Sequence, residues 1–506
     1  MPVDHIRQDV KQFERDYWSV TRDCFNGAPA VKRRNERYLP MPNSEDNEKE
    51  NKDRYNAYKT RAIFYNVVGR TARGFKGLVF AKDPSKNLPD QMRYMYQNVD
   101  GENCSIDSQA GQALIYALLY ARGGFLVNYP HVEGGASVED VQSGKLGPRI
   151  TLYEACDIIN WRITGNGSGS QLTLLVLREK YAVEDDSYET KEYVRYRELR
   201  IVNGVLVVKI WDTTELYRSS NAYRITRIPS SILKSVTPRT FKPTKADATN
   251  WEVIPFQIFG ADSNDFELEA PPLFDMALVN LGHYVNSADH EESSFMVGQP
   301  TYYIRGLTQR WVDENMKKGL YIGSRRVIPL PEKGEVGLVQ ADPNTLPGEG
   351  MKHKEQQMIA LGAKLVENAG VARTATETSK QDVVDNSILA VCARNINAAY
   401  ARCIEWCCLY IGIEFDEDKV YELSDYYETS KMTAQERQQL LEEFISGAID
   451  REEYRTNLKQ GKIAWKDDDK LADDTESRKM ALESKNGPPE PATPAPNPGP
   501  TAGETR

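Results

Sequence analysis

Cys403, Cys407 and Cys408 lie near the end of an apolar-periodic stretch, and thiols at i and i+4 share one helix face. Such a group could bind a soft metal or act as a nucleophile. A zinc site needs Cys pairs at short spacing brought together from separate segments, and no such pairing is present. The thiols therefore read as a small-residue core stripe, in keeping with how readily free Cys is buried. His283 and His290 are one heptad apart, too distant on a single helix to share a metal. A nucleophile triad needs a His beside a Ser or Cys and an acid, and none of the five His sits in a recognisable elbow. There is no Gly-rich phosphate loop. The glycines of "GEG" at 348–350 read as a turn, and Glu291-Glu292 as a solvated helix face. No catalytic residue, metal site or cofactor is expected, and an enzyme is the weaker class of hypothesis.

The 506-residue chain is long enough for two to four domains, with 40% apolar and 27% charged residues, an ordinary soluble composition. Its net charge of −10 speaks against a tight, static grip on nucleic acid, which needs many phosphate-neutralising cations. Seven cysteines, four of them in one helical pattern, argue against a disulfide framework. No apolar stretch follows a basic start and no run of about 18 apolar residues occurs, so neither a signal peptide nor a membrane span is expected. A reducing cytoplasm is the expected compartment of synthesis.

Residues 4–25 predict an amphipathic helix with Val10, Phe13, Tyr17 and Trp18 on its apolar side. A second helix is expected over 52–75, then a short strand at "GLVF". A third begins at Ser105 and Asp107 and is stopped by Gly123 and Gly124, with "FLVNYP" as a buried strand. From 149 to 260 the pattern is β-rich: "LTLLVLREKYAV", "YVRYRELRIV" and "VLVVKIWD" alternate as strands, with a tight hairpin at Asn203-Gly204.

Pro271 and Pro272 open a helix whose Phe274, Leu278, Leu281, Val285 and Ala288 form a coiled-coil-like seam before it turns polar in "DHEESS". Residues 299–349 form an insert with "YYIRGL", a short helix "TQRWVDENMKKG", and two short strands joined by "PEKG". A helix over 350–366 leads into "NAGVARTATETSKQDVVDNS", read as a plain polar loop, and then a helix over Ser379 to Ile411 with a stripe of Val384, Ile388, Cys392, Ile396, Cys403 and Cys407. Short helices are expected over 432–468, starting at Thr433 with Glu436 as a capping box. The Pro-rich tail from about 471 is expected to be disordered.

This order of elements resembles the portal, or head-to-tail connector, protein of tailed bacteriophages. "RAIFYNVVGRTARGFKGLVFAKDP", "ARGGFLVNYP", "YEACDIINWR" and "VIPFQIFG" look like one branch of portal-like proteins. "PPLFDMALVNLGHYVNSADHEESSFMVGQP" and "GSRRVIPLPEKGEVGLVQADPN" are similar to portal stem and clip sequences more widely. The resemblance covers roughly residues 50–465.

It implies an α+β, mainly helical fold that assembles as a ring of about twelve subunits. Residues 1–270 would be the wing, 271–298 and 350–366 the stem helices, 299–349 the clip, 367–380 the tunnel loop, 381–428 a long wing helix and connection, and 429–470 the crown. The implied partners are the large terminase motor, the head-tail adaptor, the major capsid protein and double-stranded DNA without sequence specificity, with no membrane. The implied setting is the capsid portal vertex of a virion, after assembly in the host cytoplasm. Arg373, Thr374, Thr376, Thr378 and Lys380 would face DNA, and Tyr302, Tyr303, Ile304, Trp311, Arg325 and Arg326 would make clip contacts between subunits. Few cations and several hydroxyls suit a loop that touches DNA without holding it. The alternatives are another capsid or tail connector protein, or a cytoplasmic enzyme whose site carries no recognisable motif.

Overall fold

The structure, a computed structural model, describes residues 3–46, 48–129, 146–165, 169–184, 190–212, 237–299, 301–315, 330–340, 342, 344–362, 375–418, 420–424 and 434–460. Contacts divide the chain into two units, Met1–Tyr427 and Glu428–Arg506.

In the first unit, helix α1 runs over residues 8–26. It is α-helical at Gln8–Phe13, widens into a π turn at Glu14–Trp18, and is α-helical again at Ser19–Asn26. Val10 and Trp18 are buried, and Phe13 and Tyr17 stack with ring centroids 4.9 Å apart against the same core. A short helix α2, Ala28–Arg33, follows.

The helix expected over 52–75 is two helices, α3 at Lys49–Arg61 and α4 at Val67–Val79. Residues 62–66 leave the helix because distant groups hold them. Ile63 N donates to Ser287 Oγ at 3.0 Å, Tyr65 O accepts from Asn280 Nδ2 at 2.8 Å, and Asn66 caps α4 through Gly69 N. "GLVF" is no strand, since its first three residues complete α4.

Helix α5, Ile106–Tyr120, is apolar on nearly every side and lies at the centre of the core. Ser105 caps it as expected, accepting from Ser108 N at 3.2 Å. Its end is made by Ala121, in the left-handed region at φ 57°, rather than by Gly123 and Gly124. Those glycines lie inside strand β2, Arg122–Asn128. A Cβ at Gly123 would fall 2.4 Å from Phe259 Cζ, and one at Gly124 2.1 Å from Phe256 Cζ. They are glycine so that two aromatic rings can lie on the strand.

Strand β1, Ser85–Lys86, precedes α5 and pairs with β12, Tyr421–Glu422. β2 is the middle of an antiparallel sheet ordered β3-β2-β9, with β3 at Arg149–Glu154 and β9 at Phe256–Gly260. The second sheet is an antiparallel meander: β4 Ile158–Thr164, β5 Gln171–Glu184, β6 Thr190–Val202, β7 Val205–Asp212 and β8 Arg239–Phe241. Asn203 and Gly204 close its β6–β7 turn at φ 51° and 77°, the positive pair that a two-residue hairpin demands.

Helix α6, Phe274–Gly298, carries the insert: strand β10 at Thr301–Arg305, helix α7 at Gln309–Asn315 and strand β11 at Glu335–Val339. Helix α8 then spans Leu346–Ala360 instead of 350–366, and takes Gly348 and Gly350 into its first turns instead of a turn. Helix α9, Ala375–Ile411, is 37 residues long and begins four residues before the expected Ser379. Cys392, Ile396, Cys403 and Cys407 of its stripe are fully buried, as expected, while Ile388 is 42% exposed. Helix outweighs strand, so the chain is α+β and mainly helical.

The second unit holds α10, Ala434–Ile445, and α11, Arg451–Gln460, joined by a turn across which Phe444 and Tyr454 stack at 4.6 Å. Asp450 and Glu453 form a reciprocal capping box at 2.7 and 3.0 Å. Thr433, the side chain of Glu436 and the Pro-rich tail lie outside what the structure describes.

Candidate functional site

The segment from α6 to α9 is where the sequence places its functional residues. α6 and α8 pack side by side. His283 meets Glu355, Gly282 faces Lys354, Asn286 faces Gly350, and His290 faces Gly348. Numbers rise on α6 as they fall on α8, so the pair is antiparallel. A Cβ at Gly350 would lie 2.3 Å from Asn286 Nδ2, so the small residues of "GEG" set the close approach of the two helices.

The buried side of α6 takes in more than the expected seam: Ala288 is fully buried, and Phe274, Leu281 and Val285 pack against the core. Leu278 is 48% exposed, whereas Asn280, His283 and Ser287 are buried with Met276, Ala277, Tyr284 and Ala288. Polar groups are tolerated there because each meets the 58–65 segment or α8. Asn280 and Ser287 bond the backbone of Tyr65 and Ile63, and Tyr58 donates to Asp289 Oδ1 at 2.6 Å. Glu292 is no solvated acid. It is paired with Arg61, and Arg54 lies 3.7 Å away. Burial pulls the His283 imidazole below its ordinary pKa, with the Glu355 carboxylate acting in the opposite sense.

At the end of the α6–α8 pair, β10 and β11 form a two-stranded antiparallel sheet in which Tyr302 faces Leu338 and Ile304 faces Val336. Among the described residues neither strand has a second neighbour. Tyr302 and Leu338 are about half exposed, and the Tyr303 ring lies across Gly337. Ile304 is half-buried, and Trp311 lies on α7, also half-buried. Phe295, Met296, Val339 and Leu346 add exposed apolar surface near the same strands. An isolated two-stranded sheet is marginal in water without further strands or a packing surface.

Arg325 and Arg326 lie outside the described residues, as do Arg373 and Thr374. Thr376, Thr378 and Lys380 fall in the first turns of α9, not in a loop. The side chains of those three residues also lie outside what the structure describes.

The reactive-residue candidates take structural places. Burial raises the thiols of Cys403 and Cys407 far above their ordinary value, and that of Cys408 to about 11. They are protonated core groups rather than nucleophiles. Glu154, Cys156 and Asp157 place three possible metal-ligand atoms within 4.8 Å of one another. Arg178 holds Asp157 at 2.8 Å, Arg22 lies 3.6 Å from Glu154, and burial raises the Cys156 thiol. Two guanidinia already meet the charge a cation would need.

Sequence reading missed a buried network on the meander. Glu179 accepts from Tyr153 Oη at 2.5 Å and from Arg197 Nε at 2.6 Å, and also pairs with Arg195. The alternation of charged with apolar residues in "REKYAV" and "YVRYREL" was its only trace.

These features define a class of architecture: an α+β body from which an antiparallel helix pair carries a small β insert, followed by one long helix returning through the core. A family described as a domain of unknown function (DUF4055) matches residues 272–411, close to the segment from α6 to the end of α9. No curated protein matches. Two solved structures are similar at 13% identity. One is the neck of an empty gene transfer agent (GTA) particle, covering 78% of this chain and 90% of that one, with a TM-score of 0.39. The other is the virion of a native GTA particle, covering 80% and 93%, also at 0.39. Among the described residues no helix is long and apolar enough to cross a membrane.

Proposed function

We propose that this chain is a phage portal protein, the ring-forming subunit at one capsid vertex through which double-stranded DNA is packaged and later ejected. The observation that carries the reading is the antiparallel α6–α8 pair ending in a two-stranded sheet with exposed Tyr302 and Leu338, whose strands have no second neighbour among the described residues. Such a sheet gains stability when a neighbouring copy packs on it or extends it. α6 and α8 then act as the stem and residues 299–349 as the clip. The body of the first unit is the wing, and 429–470 the crown. The protein works as a scaffold, not as an enzyme.

The ring contains about twelve subunits. Its clip receives the large terminase during packaging and the head-tail adaptor afterwards, and the wing contacts the major capsid protein. The tunnel segment at 367–380 meets passing DNA. A chain of net charge −10 with one Arg among several Thr in that segment makes weak, replaceable backbone contacts, which movement requires. Electron microscopy of the purified full chain tests the reading. Rings with a central hole are expected, and compact monomers at every concentration tried would overturn it.

A further inference from the structure

The meander carries a second apolar cluster, separate from the main core. Ile159 of β4, Leu174 and Val176 of β5, and Val194 and Tyr196 of β6 form it, each at most 8% exposed. Among the described residues, the apolar side chains laid on it are Val3, Ile6 and Trp211 of β7. Two of those three belong to residues 3–7, the segment that precedes α1.

The same segment runs along the outer edge of β4. That strand has β5 on one side and, among the described residues, no strand on the other. Arg7 N donates to Ile159 O at 3.1 Å, Asn160 Nδ2 donates to His5 O at 3.2 Å, and Arg7 Nη1 donates to Trp161 O at 3.3 Å. The Arg7 guanidinium also lies 4.0 Å from the centre of the Trp161 ring. Asp9 fixes its other side, accepting from Arg7 Nη2 at 2.6 Å. Residues 3–7 are thus tied to three consecutive edge residues without forming a strand. Of those three bonds one joins backbone to backbone, so the segment can lift without breaking a ladder.

An open sheet edge is a template for pairing with another chain. Beyond the strap, Ile163 on the same strand is 45% exposed, so the edge offers backbone groups and apolar surface together. Lifting the strap would uncover Ile159 and the cluster beside it.

We infer that the β4 edge is a latent strand-docking site which residues 3–7 hold closed, and that its occupant once the strap lifts is β4 of a second copy. Two like edges pair antiparallel across a two-fold axis, with the same surface on both partners. The strap is then a guard against edge-to-edge pairing, and Arg7 is its pin. The device stands independently of the portal reading.

Amide hydrogen exchange and aggregation of the full chain test this. The amide of residue 7 reports strap closure directly, because its acceptor is Ile159 O. Arg7→Ala should speed exchange at that amide about tenfold, the size expected for loss of one charged hydrogen bond in a local opening. Amides of β5 should keep their wild-type rates. Arg7→Ala should also form thioflavin-binding aggregates faster than wild type, and adding Ile163→Lys should cancel that gain, since an edge lysine blocks strand pairing. Val3 packs on the second cluster alone, so Val3→Asp should behave as Arg7→Ala does and carries the same comparison should Arg7→Ala fail to fold. Unchanged exchange at residue 7 in both variants would overturn the strap. Faster exchange without faster aggregation, or aggregation that Ile163→Lys does not suppress, would overturn the docking site.

Discussion

His283 Nε2 on α6 and Glu355 Oε1 on α8 meet at 3.3 Å, 72 residues apart in sequence, while His283 Nδ1 is buried without a hydrogen-bond partner. The neutral imidazole can donate from Nε2 to the carboxylate and leave Nδ1 unprotonated. The imidazolium would bury a second N–H with no acceptor. Because burial lowers the folded pKa below the unfolded one, the unfolded chain binds the proton first. Stability is therefore full above about pH 6.5 and falls as pH drops below that value. Melting temperatures of wild type and His283→Gln from about pH 7.5 to about pH 5 check this. The substitution should flatten the decline, and parallel curves would mean that His283 titrates as in the unfolded chain.

Gly124 lies beneath Phe256, with 2.1 Å between the ring and the place a Cβ would occupy. Gly124→Ala should destabilise by about 1–3 kcal/mol through overpacking, against the usual gain from replacing glycine. Adding Phe256→Leu should recover part of the loss. Urea unfolding of the single and double variants gives the comparison.

Tyr302 and Leu338 face each other on the exposed side of the β10–β11 sheet. Replacing both with Glu should leave the melting of the chain nearly unchanged, since an exposed position shifts stability by under about 0.5 kcal/mol. If this face contacts a neighbouring subunit, two like charges there should prevent assembly. Light scattering should then report loss of ring mass, and full-size rings would remove this surface from the assembly contacts.

The segment proposed to face DNA gives a prediction at the level of the particle. Thr376 and Thr378 belong to the first turn of α9, where the helix terminus favours negative charge. Changing Thr374, Thr376 and Thr378 to Asp should therefore leave folding and ring formation intact. Three added charges per subunit should repel DNA in a confined channel, where screening is poor, and heads should assemble poorly filled. Arg373→Ala should have a smaller effect in the same direction. Genome-length DNA at normal yield in the triple variant would exclude this segment from the channel wall.

The sequence alone determined the elements whose signal is local. The all-apolar α5 with its Ser105 cap, the alternating strands β5 to β7, the Asn203-Gly204 turn and the buried Cys stripe of α9 each follow from a period or a turn preference acting over a few residues. The order of elements from α6 to α9 was legible for the same reason. Tertiary structure decided what depends on distant partners. It broke the 52–75 helix because Asn280 and Ser287 hold the backbone at 63–65, and it made strand residues of Gly123 and Gly124 because two rings need the space. It buried Asn280, His283 and Ser287 on α6 while leaving Leu278 of the expected seam exposed. A polar side chain can be buried only where another segment supplies its bonding partner, and no local period records which segment that will be.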